Sequence, residues 1–373
     1  MQKNEFRPFA MERWQSIHEN RVEFNLSESG VHPLSLRELV ALGGPATLDE
    51  TLLGYGQSNG SELLRAHIAR LYEGGTPDSI VVTNGSAEAN FISLWQLAPA
   101  GGEIVIIVPT YMQTHGLAQN FGITVREVWL REQNGWQVDA QELARAVSAR
   151  TSVIVVTNPS NPTGAVMTQE ARAAVLDAAR RGGCWILADE VYTGAERSGP
   201  ETPSFFGQYE RVIATGSLSK AYGLPGIRIG WAVAPPDMAA QLWARKDYMT
   251  IGPGELTDHI AAIALSPEVR PRIIERTRQR INEGWNITRQ WMDNVGGFRC
   301  LPPAAGAIAY AAYHLPIESD HFAELLRAEY SVLVVPGAHF GMGRYVRLGF
   351  GLPAARLQAA LDRLTAALNH FQR

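Results

Sequence analysis

The chain has 373 residues, 37 of them acidic and 33 basic, giving a net charge of −4, with 46 % hydrophobic and 19 % charged residues. This is a globular composition, long enough for a sizeable core spread over two to three ordinary domain units, and it excludes a disordered chain. A mildly acidic chain without a Lys/Arg block argues against nucleic acid or an anionic membrane as its main partner, and two cysteines, Cys184 and Cys300, exclude a disulfide framework or a cysteine-rich zinc site.

No apolar run approaches the roughly 18 residues needed to span a bilayer, and Met1 to Ala10 lack a signal-peptide core. The expectation is a soluble, cytoplasmic enzyme. The segment up to Leu42 shows no βα alternation and is expected to complete a smaller domain or a subunit contact. From there, short runs rich in Val and Ile, bounded by Gly, Pro, Asn or Asp, predict buried strands at 80–83, 104–108, 153–157, 185–188, 212–215 and 229–234. Amphipathic patterns between them predict helices at 86–97, 113–121, 140–148 and 168–181. Near-continuous apolar strands separated by helices imply an α/β domain whose mostly parallel sheet is covered on both faces. Past Pro267 the pattern changes to a long helix at 268–293 ended by Gly296-Gly297, strands at 308–313, 332–335 and 345–349, and a last helix at 354–370. The expected division is 1–42 as an N-terminal segment joining the small domain, 43–270 as a large domain and 271–373 as a small α+β domain.

Several strand ends carry chemistry. Thr83-Asn84-Gly85-Ser86-Ala87-Glu88 lies at a strand-to-helix junction, where free helix-start amides and the Ser86 hydroxyl suit a phosphate; an ordinary Ser cap is the plainer reading. Asn158-Pro159-Ser160-Asn161-Pro162-Thr163-Gly164 is turn chemistry by itself, yet it places Asn161 at the carboxyl edge of the sheet, where α/β folds bind ligands. Asp189-Glu190-Val191-Tyr192 ends the next strand. A carboxylate there can keep a pyridine nitrogen protonated, and it can equally serve as a cap or a buried ion pair.

In Ser217-Leu218-Ser219-Lys220, followed by Gly223, Gly226 and Arg228, a lysine directly after a strand can form a Schiff base with an aldehyde cofactor. Two hydroxyls and the Arg228 guanidinium can grip a phosphate. Arg347, alternating inward in Tyr345-Val346-Arg347-Leu348-Gly349, needs a substrate carboxylate or a structural acid as partner.

In order and spacing these segments resemble the fold-type I pyridoxal-phosphate enzymes of the class I/II aminotransferase family, over most of the chain from about Asn25 onward. The resemblance implies an α/β fold with a large, mostly parallel-sheet domain and a smaller α+β domain, and pyridoxal 5′-phosphate as cofactor. It makes Lys220 the Schiff-base lysine and Asp189 the partner of the ring nitrogen, with Asn161 and Tyr192 on the ring 3′-oxygen. Gly85, Ser86, Ala87, Ser217, Ser219 and Arg228 would hold the phosphate, and Tyr111 would stack on the ring. Tyr55, in Gly54-Tyr55-Gly56, would reach the phosphate of a neighbouring subunit, which implies a homodimer. Arg347, with Asn161 and Gly30 beside it, would clamp the α-carboxylate of an amino acid substrate.

Glu28, in Asn25 to His32, is an acid where the family usually has a glycine-rich start, and Glu12, in Met11-Glu12-Arg13-Trp14, is a second acid in a segment that can fold over the site; both suit a cationic, arginine-like side chain, or they are surface and capping residues. Ser29 to His32, Leu36 to Leu39, Lys220 to Gly226, Val332 to Gly337 and Arg347 to Gly351 also resemble the capreomycidine synthases, which cyclise a hydroxylated arginine on the same cofactor. Transamination is the first reading and elimination with cyclisation the second. The match of Gly56-Gln57-Ser58-Asn59-Gly60 to a hydrolase elbow lacks the strand before it and the helix at its serine. No metal-binding motif is present.

Overall fold

The computed structural model describes residues 6–43, 48 and 51–370. Short helices α1 (Ala10–His18), α2 (Leu36–Ala41) and α3 (Glu62–Ala69), with the two-residue strand β1 (Phe24–Asn25), precede the main sheet. The sheet region then alternates β2 (Ile80–Thr83), α4 (Ser86–Leu97), β3 (Glu103–Val108), α5 (Gln113–Asn120), β4 (Thr124–Trp129), α6 (Ala140–Ala146), β5 (Thr151–Thr157), α7 (Gln169–Gly182), β6 (Trp185–Asp189), β7 (Val212–Ser217) and β8 (Gly230–Val233). Its strand order is β2-β8-β7-β6-β5-β3-β4, and only β8 runs against the others.

The reason is visible residue by residue. Strands β2, β3, β7 and β8 are buried at every position, as Val/Ile-rich runs covered on both faces must be. Helix α6 starts on the Asp139 carboxylate, which accepts from the Gln141 and Glu142 amides, and α7 starts on the Thr168 hydroxyl. Gly183, at φ 62°, ends α7 in the left-handed conformation that glycine adopts without strain. Edge strand β4 reads TVREVW, and its Arg126 and Glu127 face outward, which hides it from a search for apolar runs.

After α8 (Pro236–Lys246) and α9 (Glu255–Ala264), the 26-residue α10 (Arg270–Val295) leads through Gly296 into β9 (Phe298–Arg299) and β10 (Ile308–Tyr313). Then follow α11 (Ser319–Tyr330), β11 (Val332–Leu333), β12 (Val335–Pro336), β13 (Tyr345–Gly349) and α12 (Ala354–His370). The second sheet is antiparallel in the order β12-β13-β10-β9.

The stretch expected as one strand at 332–335 is two. Val332 and Leu333 pair with β1, Val335 and Pro336 pair with β13, and between them the Val334 carbonyl accepts the Trp14 indole N–H at 2.9 Å. The N-terminal segment is thereby laid onto this second sheet, with the Leu26 amide on the Leu333 carbonyl and the Gly349 amide on the Leu26 carbonyl.

Candidate active site

Because β8 alone is reversed, its start and the ends of β2, β3, β5, β6 and β7 meet at one edge of the sheet. The turns at that edge bring Ser86, Ala87, Tyr111, Asn161, Asp189, Tyr192, Ser219, Lys220 and Arg228 around one cavity of about 270 Å³. Arg347 from β13, Glu12 from α1 and Glu28 after β1 close it from the other side.

At its floor Asp189 is buried, with Oδ2 accepting from Asn90 Nδ2 at 2.9 Å and Oδ1 from the Val191 amide at 3.3 Å. Asn90 is oriented in turn by the Thr215 hydroxyl, which donates to its Oδ1 at 2.9 Å. Burial pushes the Asp189 carboxyl up from its ordinary value, and the two hydrogen bonds and the Lys220 charge draw it back.

Lys220 opens to the cavity with Nζ 4.0 Å from Glu28 Oε2. Gly30 packs on its backbone: a Cβ at Gly30 would lie 3.6 Å from Lys220 Cα. Ser217 is buried beneath, its hydroxyl accepting the Ser219 amide at 3.2 Å. At the N-terminus of α4 no side chain caps the helix, so its first amides stay available beside Ser86 and Ala87. Gly85, at φ 80°, lets Arg228 approach: a Cβ there would sit 2.2 Å from Arg228 Nη2. A Cβ at Gly230 would meet the Ser86 amide nitrogen at 2.4 Å.

Opposite, Arg347 is 1 % exposed. Its Nη1 donates to Asn161 Oδ1 at 2.8 Å and its Nη2 to the Ser27 carbonyl at 2.5 Å, while Met11 Sδ lies 3.5 Å from Nη1. Its Nε has no partner, and among the described residues it makes no ion pair, so no structural acid answers the cost of burying it. Burial lowers its pKa from the ordinary value. The Tyr192 hydroxyl donates to Ser29 Oγ at 2.9 Å, and the Tyr111 hydroxyl donates to Glu12 Oε1 at 2.8 Å.

Of the expected site residues, Gly30, Gly85 and Ser217 do not line this cavity but pack behind Lys220, Arg228 and Ser219, whereas Tyr55 is fully exposed to solvent and does not line it. Residues that sequence reasoning missed are Asn90 and Thr215 behind Asp189, and Gln15, Glu19 and Ser29 at the rim. The Asn90 signal was a polar residue among the buried positions of α4, a signal it shares with Glu88 and Ser93. Ser58 sits in a turn with its hydroxyl accepting from Trp243 Nε1 at 2.9 Å, and the next helix begins at Glu62, so a hydrolase elbow is not formed. Asp49 and Glu50, just before it, lie outside the described residues.

Glu190, next to Asp189, is fully buried and pushed up to about 7 by burial. Its Oε1 accepts the Phe205 amide at 2.8 Å, and it faces a small cavity shared with Tyr222, Trp231 and Arg270. A carboxyl raised in the folded state contributes stability below its unfolded value, lost as pH rises through the folded one. Glu190→Gln keeps the acceptor for Phe205. Its stability gain over the parent should therefore grow between about pH 5 and pH 8, by up to about 3 kcal/mol, in a series of urea midpoints. A gap that stays constant across that range would show that Glu190 is not the group titrating.

A lysine, a buried carboxylate and a helix-start phosphate cradle at one sheet edge define a pyridoxal-phosphate enzyme. The chain belongs to the family described as aminotransferase class I and II, whose profile matches residues 30–364. It is 32 % identical to capreomycidine synthase of Streptomyces vinaceus, over 97 % of this chain and 94 % of that one. Among solved structures it is similar to a PLP-dependent aminotransferase from Streptococcus suis 89-1591 (TM-score 0.93, 32 % identity, 99 % of each chain). It is also similar to the PLP-dependent cyclase OrfR, solved in complex with Au (TM-score 0.88, 28 % identity, 98 % of each chain).

The cofactor is pyridoxal 5′-phosphate, and the residues present fit it. Gly85 and Gly230 let Arg228 and the start of α4 pack closely together, and the uncapped α4 amides beside that guanidinium have the chemistry of a phosphate site. The doubly hydrogen-bonded Asp189 suits a ring nitrogen. Among the described residues no helix is long and apolar enough to cross a membrane.

Proposed function

We propose that this enzyme transfers the α-amino group of an L-amino acid with a cationic, arginine-like side chain. The observation that carries the reading is the charge layout of the cavity: Arg347, without an acid partner, on one side of Lys220, and the carboxylates Glu12, Glu19 and Glu28 around the rim.

Bound in this site, pyridoxal phosphate supplies an aldehyde for amine exchange and a protonated ring that takes up an electron pair from the substrate's Cα. Ser86, Ala87, Gly85, Ser217, Ser219 and Arg228 would hold its phosphate, and Asp189 would keep the ring nitrogen protonated. Tyr111 would lie beside the ring, and Asn161 and Tyr192 would be hydrogen-bond partners for its hydroxyl. The Arg347 guanidinium grips the substrate α-carboxylate, steadied by Asn161 and the Ser27 carbonyl. Lys220, whose Nζ opens to the cavity, would hold the cofactor's aldehyde carbon and, as a free amine, would take up and return the substrate's Cα proton. Helix α1, anchored over the cavity through Glu12 and Tyr111, excludes water.

The reading includes the division at 42 and 270, a cytoplasmic location, and a homodimer in which Tyr55 reaches the partner's phosphate. The exposed apolar face of Leu52, Leu53, Tyr55, Tyr248, Met249 and Ile251 supports the dimer; sedimentation at the monomer mass would count against it.

The test is product analysis with L-arginine, 3-hydroxyarginine, L-alanine and L-glutamate. Formation of a keto acid from L-arginine, with an aminated cofactor, is the expected outcome. Arg347→Lys, which keeps the charge and loses the two-pronged grip, should lower kcat/KM by about tenfold to a hundredfold.

A second reading is favoured by the 32 % identity with capreomycidine synthase over 97 % of the chain. In it Lys220 removes the same proton from a hydroxylated arginine, the β-hydroxyl leaves as water, and a guanidino nitrogen closes a ring on the β-carbon. A cyclic amino acid that keeps its α-nitrogen, with no keto acid, would decide for this reading.

A further inference from the structure

Helix α1 turns Met11, Glu12, Gln15, Ser16 and Glu19 toward the cavity, the spacing of one helical face. Three of them are committed. Met11 lies on Arg347, Glu12 accepts from the Tyr111 hydroxyl, and Gln15 donates to the carbonyl and hydroxyl of Ser27.

Glu19 is different. Among the described residues its carboxylate makes no hydrogen bond and no ion pair, although it sits half-buried at the rim. It also follows the last turn of α1, where the helix dipole presents negative charge. Burial first, and then the charges of Glu28 and Glu12, raise its pKa, with Lys220 alone opposing them. Among the described residues Glu28 makes one ion pair, with Lys220 at 4.0 Å. The carboxylates are not gathered as a metal-binding group. Arg347, 1 % exposed and with Nε unpaired, faces the same cavity and marks where a ligand's carboxylate goes.

We infer that Glu19 and Glu28 together bind the guanidinium of the substrate side chain and set its specificity, while Glu12 is withheld as the Tyr111 latch. The inference rests on the reading of a cationic amino acid substrate given above. Two carboxylates from separate segments accept from two edges of a planar five-donor fork, which a single ammonium cannot offer. With the α-carboxylate at Arg347 and the Cα at Lys220, the substrate runs across the cavity to this pair.

The test compares calorimetric dissociation constants for L-arginine and its uncharged isostere L-citrulline. It uses enzyme loaded with pyridoxal phosphate and carrying Lys220→Ala, so that neither ligand is consumed. On that background Glu19→Gln and Glu28→Gln should each weaken L-arginine by about tenfold to a hundredfold and leave L-citrulline nearly unchanged. Glu12→Gln should shift both ligands alike, and Glu19→Asp should restore part of the preference. If the preference for L-arginine survives Glu19→Gln, the assignment of Glu19 falls while the cationic-substrate reading stands. If the Lys220→Ala enzyme with all three acids intact binds the two ligands equally, both fall.

Discussion

Lys220→Ala is expected to lower turnover by about 10⁴-fold or more while leaving pyridoxal phosphate bound. In the proposed mechanism two functions would depend on this one nitrogen, attachment of the cofactor and transfer of the Cα proton, and an alanine supplies neither. The grip on the phosphate does not depend on it. The α4 amides, Ser219 and Arg228 are placed by backbone and by the clearances at Gly85 and Gly230. The variant should therefore copurify with cofactor, while borohydride should fix the cofactor to residue 220 in the parent enzyme only. Turnover within tenfold of the parent, or borohydride labelling at another lysine, would overturn the assignment. Glu28 loses in this variant the one ion pair it makes among the described residues, so a small drop in stability below that of the parent is also expected.

Asp189→Asn should cost about 10³-fold in kcat/KM, the second largest effect. Both carboxylate oxygens already accept hydrogen bonds, from Asn90 and from the Val191 amide. An amide at this position has one acceptor atom, and its NH₂ must face either one of those donors or the ring. In the first case an unsatisfied buried donor costs about 1–3 kcal/mol of stability. In either case the ring nitrogen loses its anion and is no longer held protonated. Kinetics, cofactor content and thermal midpoint measured together separate the chemical loss from the structural one. A rate within tenfold of the parent at full cofactor content would show that Asp189 does not face the nitrogen.

Much of the main sheet was legible because its strands are buried on both faces and so read as Val/Ile runs. The strand expected at 80–83 is β2, and the helix expected at 86–97 is α4. Strand β4 was not legible, since an edge strand keeps Arg126 and Glu127 in solvent and breaks the apolar run. The break at Val334 was not legible either. All four residues from Val332 to Val335 are buried, and the reason they separate is a tryptophan 320 positions earlier.

The same distinction runs through the site. Lys220, Asp189 and Asn161 stand in short motifs whose order and spacing are distinctive, and the sheet gathers them at one edge. Asn90, Thr215 and Glu19 acquire their surroundings from contacts over distances that no local pattern encodes, such as the 125 residues between Thr215 and Asn90. Glu12 was visible as an acid near the pocket, but its engagement with Tyr111 depends on where α1 lies.

The laying of the N-terminal segment onto the second sheet also sets a timetable for synthesis. Leu26 leaves the ribosome roughly 300 residues before Leu333, to which its amide is bonded, and Ser27 waits still longer for Arg347. At about 5–20 residues per second this interval is on the order of 15–60 s. Throughout it the main sheet can form behind a leading segment that has nowhere to dock. The nascent chain would thus acquire its phosphate cradle well before its substrate grip, and the pocket would close only with the last strands.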